Sequence, residues 1–383
     1  EVKVYVKKGY SEEKEKEGGI THVLEHMIFK GTPKRNYLQI SEETDYLGAS
    51  INAHTTKEET VFYINSLTEF LDESVDILFD IVANSNIDSE ELEKEKDVII
   101  EEIQMYKDTP DDLVFELNYG DCIEGEYGKP IIGTVESVKS FSSEMVRRYY
   151  RERYTRDNIL VVVSGNFSKE GIIAKVEEYF SRLEEKKVDR KTKKTFSFRS
   201  GETAHEKDIN QVNICISYNG KEYDNENRIY NDIAANIIGG SMSSRLFQEI
   251  REKKGLAYSV YTYNQYYNKG GIVSTYIGTN VENYKDAVEI TLNEFKKIRE
   301  KGITGFELEK AKNKYLSKIA FSMENPRSRM SILGNYHIRK GKVLDIDELK
   351  SEIKNVNLED INSYLNKEFL EPNITILGNI KGR

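Results

Sequence analysis

Length, composition and charge set the first limits on this chain. It has 383 residues, 32% of them charged, a formal net charge of −10 and no basic tract outside Lys186–Lys194. Nucleic acid is disfavoured as the main partner, because phosphate binding needs clustered Lys and Arg. No apolar run approaches the roughly 18 residues of a membrane-spanning helix, and the length predicts two or three domains with sizeable cores.

The first informative element is a predicted helix that carries three ionisable residues on one face. Its buried face is indicated by apolar residues at helical spacing, namely Ile20, Val23, Leu24, Met27 and Ile28. His22, Glu25 and His26 share the neighbouring face, because residues three and four apart stack along a helix. Two imidazoles one turn apart can bind one Zn²⁺, and H-x-x-E-H is the inverted zinc-protease pattern. The competing interpretation is two solvated histidines beside an ordinary Glu.

A zinc site needs a third protein ligand, and a second predicted helix supplies a candidate. Residues 91–103 have a helical apolar stripe, and Glu95 and Glu102 lie two turns apart on one face. Glu102 could bind the metal while Glu95 orients a histidine ligand from behind it. In a chain this rich in Glu and Lys, the alternative is a solvated helix face.

Strands and helices follow one another in mixed order along the rest of the chain. Strands are predicted at 50–55, 60–65, 159–163 and 212–218, and helices at 67–83, 146–152 and 172–183. This order favours an α+β fold, with helices packed on one face of mostly antiparallel sheets.

The sequence also repeats itself once. Glu91-Leu-Glu-Lys-Glu-Lys recurs from Glu307, an offset of 216 (307 − 91), and Asn158-Ile-Leu-Val-Val-Val recurs in related form from Asn373, an offset of 215 (373 − 158). A period this long indicates duplicated domains. We predict an N-terminal domain at 1–183, a charged linker at 184–194 and a C-terminal domain at 195–383.

The comparison of the repeats shows what the second one lacks. Glu95 corresponds to Ala311 and Glu102 to Lys318, and no second H-x-x-E-H occurs near residue 240. Zinc is therefore predicted in the first domain only, since Lys does not ordinarily bind it. Residues 195–211 precede the strand that matches 2–6, so we expect that an N-terminal strand or leader is missing from this chain.

These motifs resemble those of the M16 metallopeptidases, the family of mitochondrial processing peptidase, insulysin and pitrilysin. The likeness extends over nearly the whole chain and is strongest to the bacterial processing-peptidase-like branch, in which each chain is half of a clamshell. It implies two homologous repeats of the LuxS/MPP-like metallohydrolase fold. It also implies that His22, His26 and Glu102 bind one Zn²⁺ per chain, that Glu25 is the catalytic base, and that Glu95 supports the ligands.

The same resemblance assigns roles outside the metal motif. Arg251 and Tyr258, seven residues apart, match the pair that holds the substrate carbonyl, where both side chains can stabilise an oxyanion. Asn52 and Ala53 match an edge strand that pairs with the substrate backbone. His54 on that strand is expected over bound peptide and not as a ligand. From spacing alone, a structural Arg251 and a core Tyr258 are the favoured interpretation.

The resemblance implies a zinc endopeptidase that cleaves peptides or unfolded segments inside a closed chamber, with the active site completed by the second subunit of a homodimer. One alternative is a non-catalytic scaffold or partner subunit of an M16-type heterodimer. Another is a catalytic subunit that receives its Arg/Tyr pair from a different, zinc-less chain. The two cysteines fall in different repeats, which suits a reducing, cytoplasmic compartment, although a cleaved signal peptide stays open.

Overall fold

Two structural units share the chain in the computed structural model, which describes residues 1–7, 9–185 and 195–380. The first unit takes residues 1–105, 130–185 and 322–343 of the described chain. The second takes residues 106–129, 195–321 and 344–380. Each unit therefore includes one segment that the sequence repeat assigns to the other.

The first unit is a four-stranded antiparallel sheet with helices. Its strands are β1 (Val2–Val6), β2 (Ser50–Thr55), β3 (Thr60–Asn65) and β5 (Ile159–Val163), in the order β2-β3-β1-β5. Its helices are α1 (Ile20–Ile28), α2 (Tyr37–Tyr46), α3 (Leu71–Asn84), α4 (Ser89–Asp108), α6 (Val135–Ser140), α7 (Ser143–Arg153), α8 (Lys169–Phe180) and α12 (Pro326–Lys340).

The core of this unit lies between the sheet and its helices. Every residue of β1 is buried, as expected for a central strand with helices on both faces. The apolar stripe of α1 is fully inside, from Ile20 to Ile28, and α3 contributes a second buried face that includes Phe79. Removing these apolar side chains from water is the main contribution that holds α1 in place.

The second unit is a five-stranded sheet with helices. Its sheet strands are β7 (Gly201–Glu206), β8 (Val212–Asn219), β9 (Ala257–Tyr267), β10 (Gly270–Thr279) and β11 (Asn373–Gly378), in the order β7-β11-β8-β10-β9. A short pair, β4 (Ile123–Glu124) and β6 (Ser197–Phe198), lies apart from it. Its helices are α5 (Pro110–Cys122), α9 (Arg228–Gly239), α10 (Tyr284–Lys301), α11 (Gly305–Glu324), α13 (Ile346–Asn355) and α14 (Leu358–Leu365).

The two sheets have the same strand order apart from one strand. The series β2-β3-β1-β5 corresponds to β9-β10-β8-β11, and helical segments lie between β1 and β2 and between β8 and β9. In the second unit β7 adds parallel to β11, whereas β5 is an edge of its sheet in the described part of the chain. The expectation of a missing N-terminal strand stays a prediction.

One helix of each repeat packs on the sheet formed by the strands of the other repeat. Helix α5, from the first repeat, places the buried Asn118 between Ser217 of β8 and Thr375 of β11, with hydrogen bonds of 2.7 and 3.2 Å. Helix α12, from the second repeat, lies on β1, where Ser331 accepts a 2.6 Å hydrogen bond from Lys3. Both helices begin with proline, and Pro110 and Pro326 are again 216 residues apart (326 − 110).

The structure confirms the α+β fold and the predicted strands. Strands β2, β3 and β5 have the predicted bounds, while helix α3 starts at Leu71 and not at 67, because a 3₁₀ turn at Thr68–Phe70 precedes it. The domain limits at 183 and 195 stay a prediction, and the linker lies outside the described residues from 186 to 194. No described helix is long and apolar enough to span a bilayer.

A glycine in α12 offers a test of its packing on β1. A Cβ at Gly334 would lie 2.5 Å from the hydroxyl oxygen and 2.6 Å from Cζ of Tyr5, a side chain that is only 1% exposed. We expect Gly334→Ala to lower the free energy of unfolding by about 1–2 kcal/mol, because this clash outweighs the gain in helix propensity. Denaturant unfolding measures the change. Gly305→Ala in α11, with no close contact, is the control, and equal stability of both variants would contradict the packing.

Candidate metal centre

The N-terminus of α1 is fixed by glycine and by a buried carboxylate. Gly19, at φ +94°, caps the helix where a Cβ would lie 2.7 Å from the carbonyl oxygen of Ile132. Glu13 accepts hydrogen bonds from the backbone amides of Gly19 and Thr21, at 2.7 and 2.8 Å. Burial raises the pKa of Glu13 to about 8 despite these bonds. The start of the helix is thus fixed by two contacts, the close packing of Gly19 on Ile132 and the hydrogen bonds from its first amides to Glu13.

The three ionisable residues of α1 lie on its less buried side, and the two histidines face α4. The side chain of His22 is 12% exposed and that of His26 is 23% exposed, while Glu102 of α4 is 24% exposed. Burial of the apolar stripe therefore aims both imidazoles at the carboxylate of another helix. This is the arrangement that the spacing of the two motifs predicted.

His22, His26 and Glu102 form a compact set of metal donors. One ligand atom from each residue lies within 4.8 Å of the others. Glu102 Oε2 is 3.7 Å from Nε2 of His22 and 3.5 Å from Nε2 of His26. A tetrahedral zinc with bonds of about 2.0–2.1 Å separates its ligands by about 3.3 Å, so the residues fit this ion after small shifts.

Glu95 lies behind one of the histidines. Its Oε2 atom is 3.1 Å from Nδ1 of His26, which leaves Nε2 of that ring on the side of Glu102. Lys30 forms an ion pair with the other oxygen of Glu95 at 2.5 Å. Burial alone would raise the pKa of Glu95, but the hydrogen bonds from His26 and Lys30 lower it below its usual value. A histidine oriented by a carboxylate is the usual support of a metal ligand.

The two histidines have opposite electrostatic environments. Burial, and then the charge of His26, lower the pKa of His22 to about 4, so this ring is a neutral donor at pH 7. Burial also opposes the charge of His26, but hydrogen bonds to Glu102 and Glu95 outweigh it and raise its pKa to about 9. A metal held by these residues would displace the proton of His26, because metal ligands bind in their deprotonated forms.

Glu25 lies beside this set and has a partner that the sequence analysis missed. The hydroxyl of Thr55, at the end of β2, donates a hydrogen bond to Oε2 of Glu25. Burial raises the pKa of Glu25, against the effects of this bond and of the charge of His26. The signal for Thr55 was weak, because only the placement of its strand near the site indicated it. Lys30 could have been found, since it follows His26 by one helical turn.

The strand β2 forms an edge of its sheet, as the resemblance implied. Asn52 and His54 are exposed, and the backbone amide of Ala53 donates a hydrogen bond to the side chain of Asn52, at 2.8 Å. His54 lies near Tyr63 and is not among the grouped donors.

Arg251 and Tyr258 lie together in the second unit. The guanidinium of Arg251 is 4.8 Å from the ring centres of both Phe247 and Tyr258, and the Tyr258 side chain is 78% exposed. Arg251 lies in a π-helical turn, Phe247–Lys253, a geometry that often marks functional sites. The pair predicted from sequence is thus adjacent and available to a ligand.

The second repeat has no equivalent metal centre among the residues that the structure describes. Its counterparts of Glu95 and Glu102, Ala311 and Lys318, line a cavity in place of a donor set. The expectation that only the first repeat can hold the metal is consistent with this chemistry, since neither side chain offers a carboxylate.

Family models match both halves of the chain. A model described as Insulinase (Peptidase family M16) matches residues 1–135 and includes the whole donor set. A model described as Peptidase M16 inactive domain matches residues 140–315, which include Arg251, Tyr258 and residues 195–315 of the repeat without zinc ligands.

Solved structures and curated relatives agree with these matches. A protease from Helicobacter pylori is 19% identical, with a TM-score of 0.90 over 98% of this chain and 93% of that one. A peptidase M16 inactive domain from Pseudomonas fluorescens is 17% identical, with a TM-score of 0.91 over 98% and 92%. At these identities the likeness shows the fold alone.

Two bacterial relatives are more similar in sequence. An uncharacterized zinc protease of Rickettsia felis is 34% identical over 96% of this chain and 89% of its own length. The uncharacterized zinc protease YmxG of Bacillus subtilis is 37% identical over 96% of this chain and 90% of its own length. Together with the two family models and the shared fold, this similarity shows that the chain belongs to peptidase family M16.

Proposed function

We propose that this protein is a zinc-dependent endopeptidase. The observation that carries the proposal is the donor set of His22, His26 and Glu102 with a half-buried carboxylate, Glu25, beside it. Two imidazoles and one carboxylate are the ligands of several zinc hydrolases, in which a fourth position stays open for water. The names of the relatives, which call them zinc proteases, support the same ion.

Each residue then has a defined task. Zn²⁺ held by His22, His26 and Glu102 would supply Lewis-acid chemistry that makes water a nucleophile at neutral pH. Glu25 accepts a proton from the attacking water and passes it to the leaving nitrogen, and Thr55 holds its carboxylate in one orientation. Glu95 keeps the ring of His26 turned so that Nε2 faces the donor set.

The peptide would be held by main-chain and side-chain donors. An extended substrate can add to the edge of β2, where the amide of Ala53 exchanges its bond to Asn52 for one to the peptide. Arg251 and Tyr258 donate hydrogen bonds to the negative charge that develops on the scissile carbonyl oxygen. The complete donor set and the Arg251–Tyr258 pair favour a catalyst over a non-catalytic scaffold, because a scaffold does not require these groups.

We further propose that the active site is completed in a homodimer. The metal donors belong to the first unit, and Arg251 and Tyr258 belong to the second. The family resemblance implies that the second unit of one chain closes over the metal of another. Equal chains that close in this way would form a C2 dimer with two active sites.

Metal content provides the first test of this function. The purified chain should hold about one Zn²⁺, and His22→Ala, His26→Ala or Glu102→Ala should reduce occupancy sharply when zinc is measured by mass spectrometry after dialysis. Glu95→Ala should weaken zinc affinity about 10–100-fold and not abolish it. His54→Ala is the matched control, a histidine of the same unit outside the donor set. Full zinc retention by Glu102→Ala would remove that residue from the ligands.

Glu25 and Thr55 provide the second test. Glu25→Gln should keep zinc and fold but lose about 10²–10⁴-fold in kcat on an unfolded peptide, because an amide cannot accept the proton. Thr55→Val should lose about tenfold in kcat, since one oriented hydrogen bond is worth about 1.5 kcal/mol, and Thr55→Ser should stay near wild type. Near-normal turnover by Glu25→Gln would contradict the mechanism.

Complementation tests the homodimer. Glu25→Gln and Arg251→Ala chains should each be nearly inactive, whereas a mixed dimer has one site with both residues intact. Random exchange makes about half of the dimers mixed, so about a quarter of wild-type activity should return on mixing. The double variant mixed with either single variant is the control and should restore nothing. Demonstrated exchange without recovered activity would mean that Arg251 acts within its own chain or not at all.

A further inference from the structure

The second unit contains a cavity of about 380 Å³ between α9, β9 and α11. Its walls include Asp232 and Asn236 of α9, Asn264 of β9, and Lys314 and Lys318 of α11. This volume lies at the lower end of the range of small-molecule sites, roughly 300–1,000 Å³, and is large enough for a ligand of amino-acid size.

The cavity occupies the position that corresponds to the metal centre of the first repeat. There the donors come from α1 and α4 beside the edge strand β2, and here the walls come from α9 and α11 beside the edge strand β9. Glu95 corresponds to Ala311 and Glu102 to Lys318. The second repeat therefore has one positive charge at these two positions, where the first repeat has two negative charges.

The one carboxylate of these walls is already satisfied by the protein. Asp232 accepts hydrogen bonds from Asn264, at 2.9 Å, Tyr266, at 2.7 Å, and Tyr315, at 2.9 Å. The positive charge of Arg228 is close enough to interact with it as well. Its negative charge is thus bound to fixed donors of α9, β9 and α11 and is not free to pair with the lysines.

The two lysines have no such partner. Lys314 donates only to a neutral atom, the carbonyl oxygen of Gly240, at 2.5 Å. Among the described residues, neither Lys314 nor Lys318 forms an ion pair with a carboxylate. Both lysines are exposed to solvent at the mouth of the cavity. A small loss of hydration, and then the positive charges of Lys318 and Lys310, lower the pKa of Lys314. An anion between the two ammonium groups would relieve this repulsion.

A second feature selects among anions. Oδ1 of Asn264 is buried and accepts no hydrogen bond from the described residues. The amide nitrogen of the same side chain donates to Asp232, which fixes the orientation of the amide. A buried acceptor without a partner is unfavourable, and a ligand N–H would satisfy it. The remaining walls include the buried apolar side chains of Ile233, Ala235 and Ala311. The cavity thus presents a positive side, an acceptor for N–H, and apolar surface.

We propose that this cavity binds an α-carboxylate that carries an N–H group on the neighbouring carbon, as a peptide C-terminus or a free amino acid does. Lys314 and Lys318 bind the carboxylate, Asn264 accepts from the N–H, and the apolar walls contact the side chain. The site is independent of the peptidase assignment, because it lies wholly in the second unit and uses none of the proposed catalytic residues.

An NMR titration of the full-length, zinc-loaded chain tests this site. With isoleucine methyl groups labelled, Ile233 reports on the cavity and Ile28 on the metal-binding helix. N-acetyl-leucine should shift Ile233 and leave Ile28 unchanged, and N-acetyl-leucine amide, which lacks the carboxylate, should shift neither. Tighter binding of N-acetyl-leucine than of free leucine would identify a peptide C-terminus, and the reverse order would identify an amino acid.

Variants make the assignment specific. Lys318→Ala should raise the dissociation constant of N-acetyl-leucine at least about tenfold, as loss of a hydrogen bond to a charged group does, and Lys318→Arg should retain binding. Lys296→Ala, which removes an exposed positive charge from α10 outside the cavity, is the matched control and should leave binding unchanged. Phosphate that binds at Ile233 as tightly as N-acetyl-leucine would overturn the proposal. So would shifts confined to Ile28, or binding that Lys318→Ala leaves intact.

Discussion

The candidate metal centre depends on one constraint, the burial of ionisable groups on α1. His22, Glu25 and His26 are all largely removed from water because the opposite face of their helix lies in the core. Their charges are costly there unless neighbouring groups compensate them. Glu102, Glu95 and Thr55 supply that compensation from α4 and β2. The position of these elements around α1 therefore defines the site.

The two repeats share a fold but carry side chains of opposite charge at equivalent positions. Both repeats place a helix, an edge strand and a long second helix around one spot of the sheet. In the first repeat the long helix α4 supplies carboxylates, and in the second the equivalent helix α11 supplies lysines. Both helices keep the same place in their repeats although the residues at these positions differ, Glu95 against Ala311 and Glu102 against Lys318. Chemistry is thus decided by a few positions and not by the fold.

The exchange of α5 and α12 links each sheet to a helix of the other repeat. Asn118 of α5 is fully buried, and it is tolerated because Ser217 and Thr375 satisfy its amide. On α12, the missing side chain of Gly334 makes room for the ring of Tyr5. If the chain were cut at the boundary that the sequence suggests, each sheet would lose the helix that the other repeat contributes to its packing.

Spacing offered Glu102 and Glu95 only as candidates, and the family resemblance selected them. By itself the sequence determined the α+β class, the duplication and the helix of His22 and His26. These follow from periodicity and spacing, which are local properties of the chain. Only the tertiary structure decided the contacts that join distant segments, such as Thr55 with Glu25, the helix exchange, and the pairing of Asp232 that leaves Lys314 and Lys318 uncompensated. Such contacts depend on how elements pack, and no spacing within one segment encodes that packing.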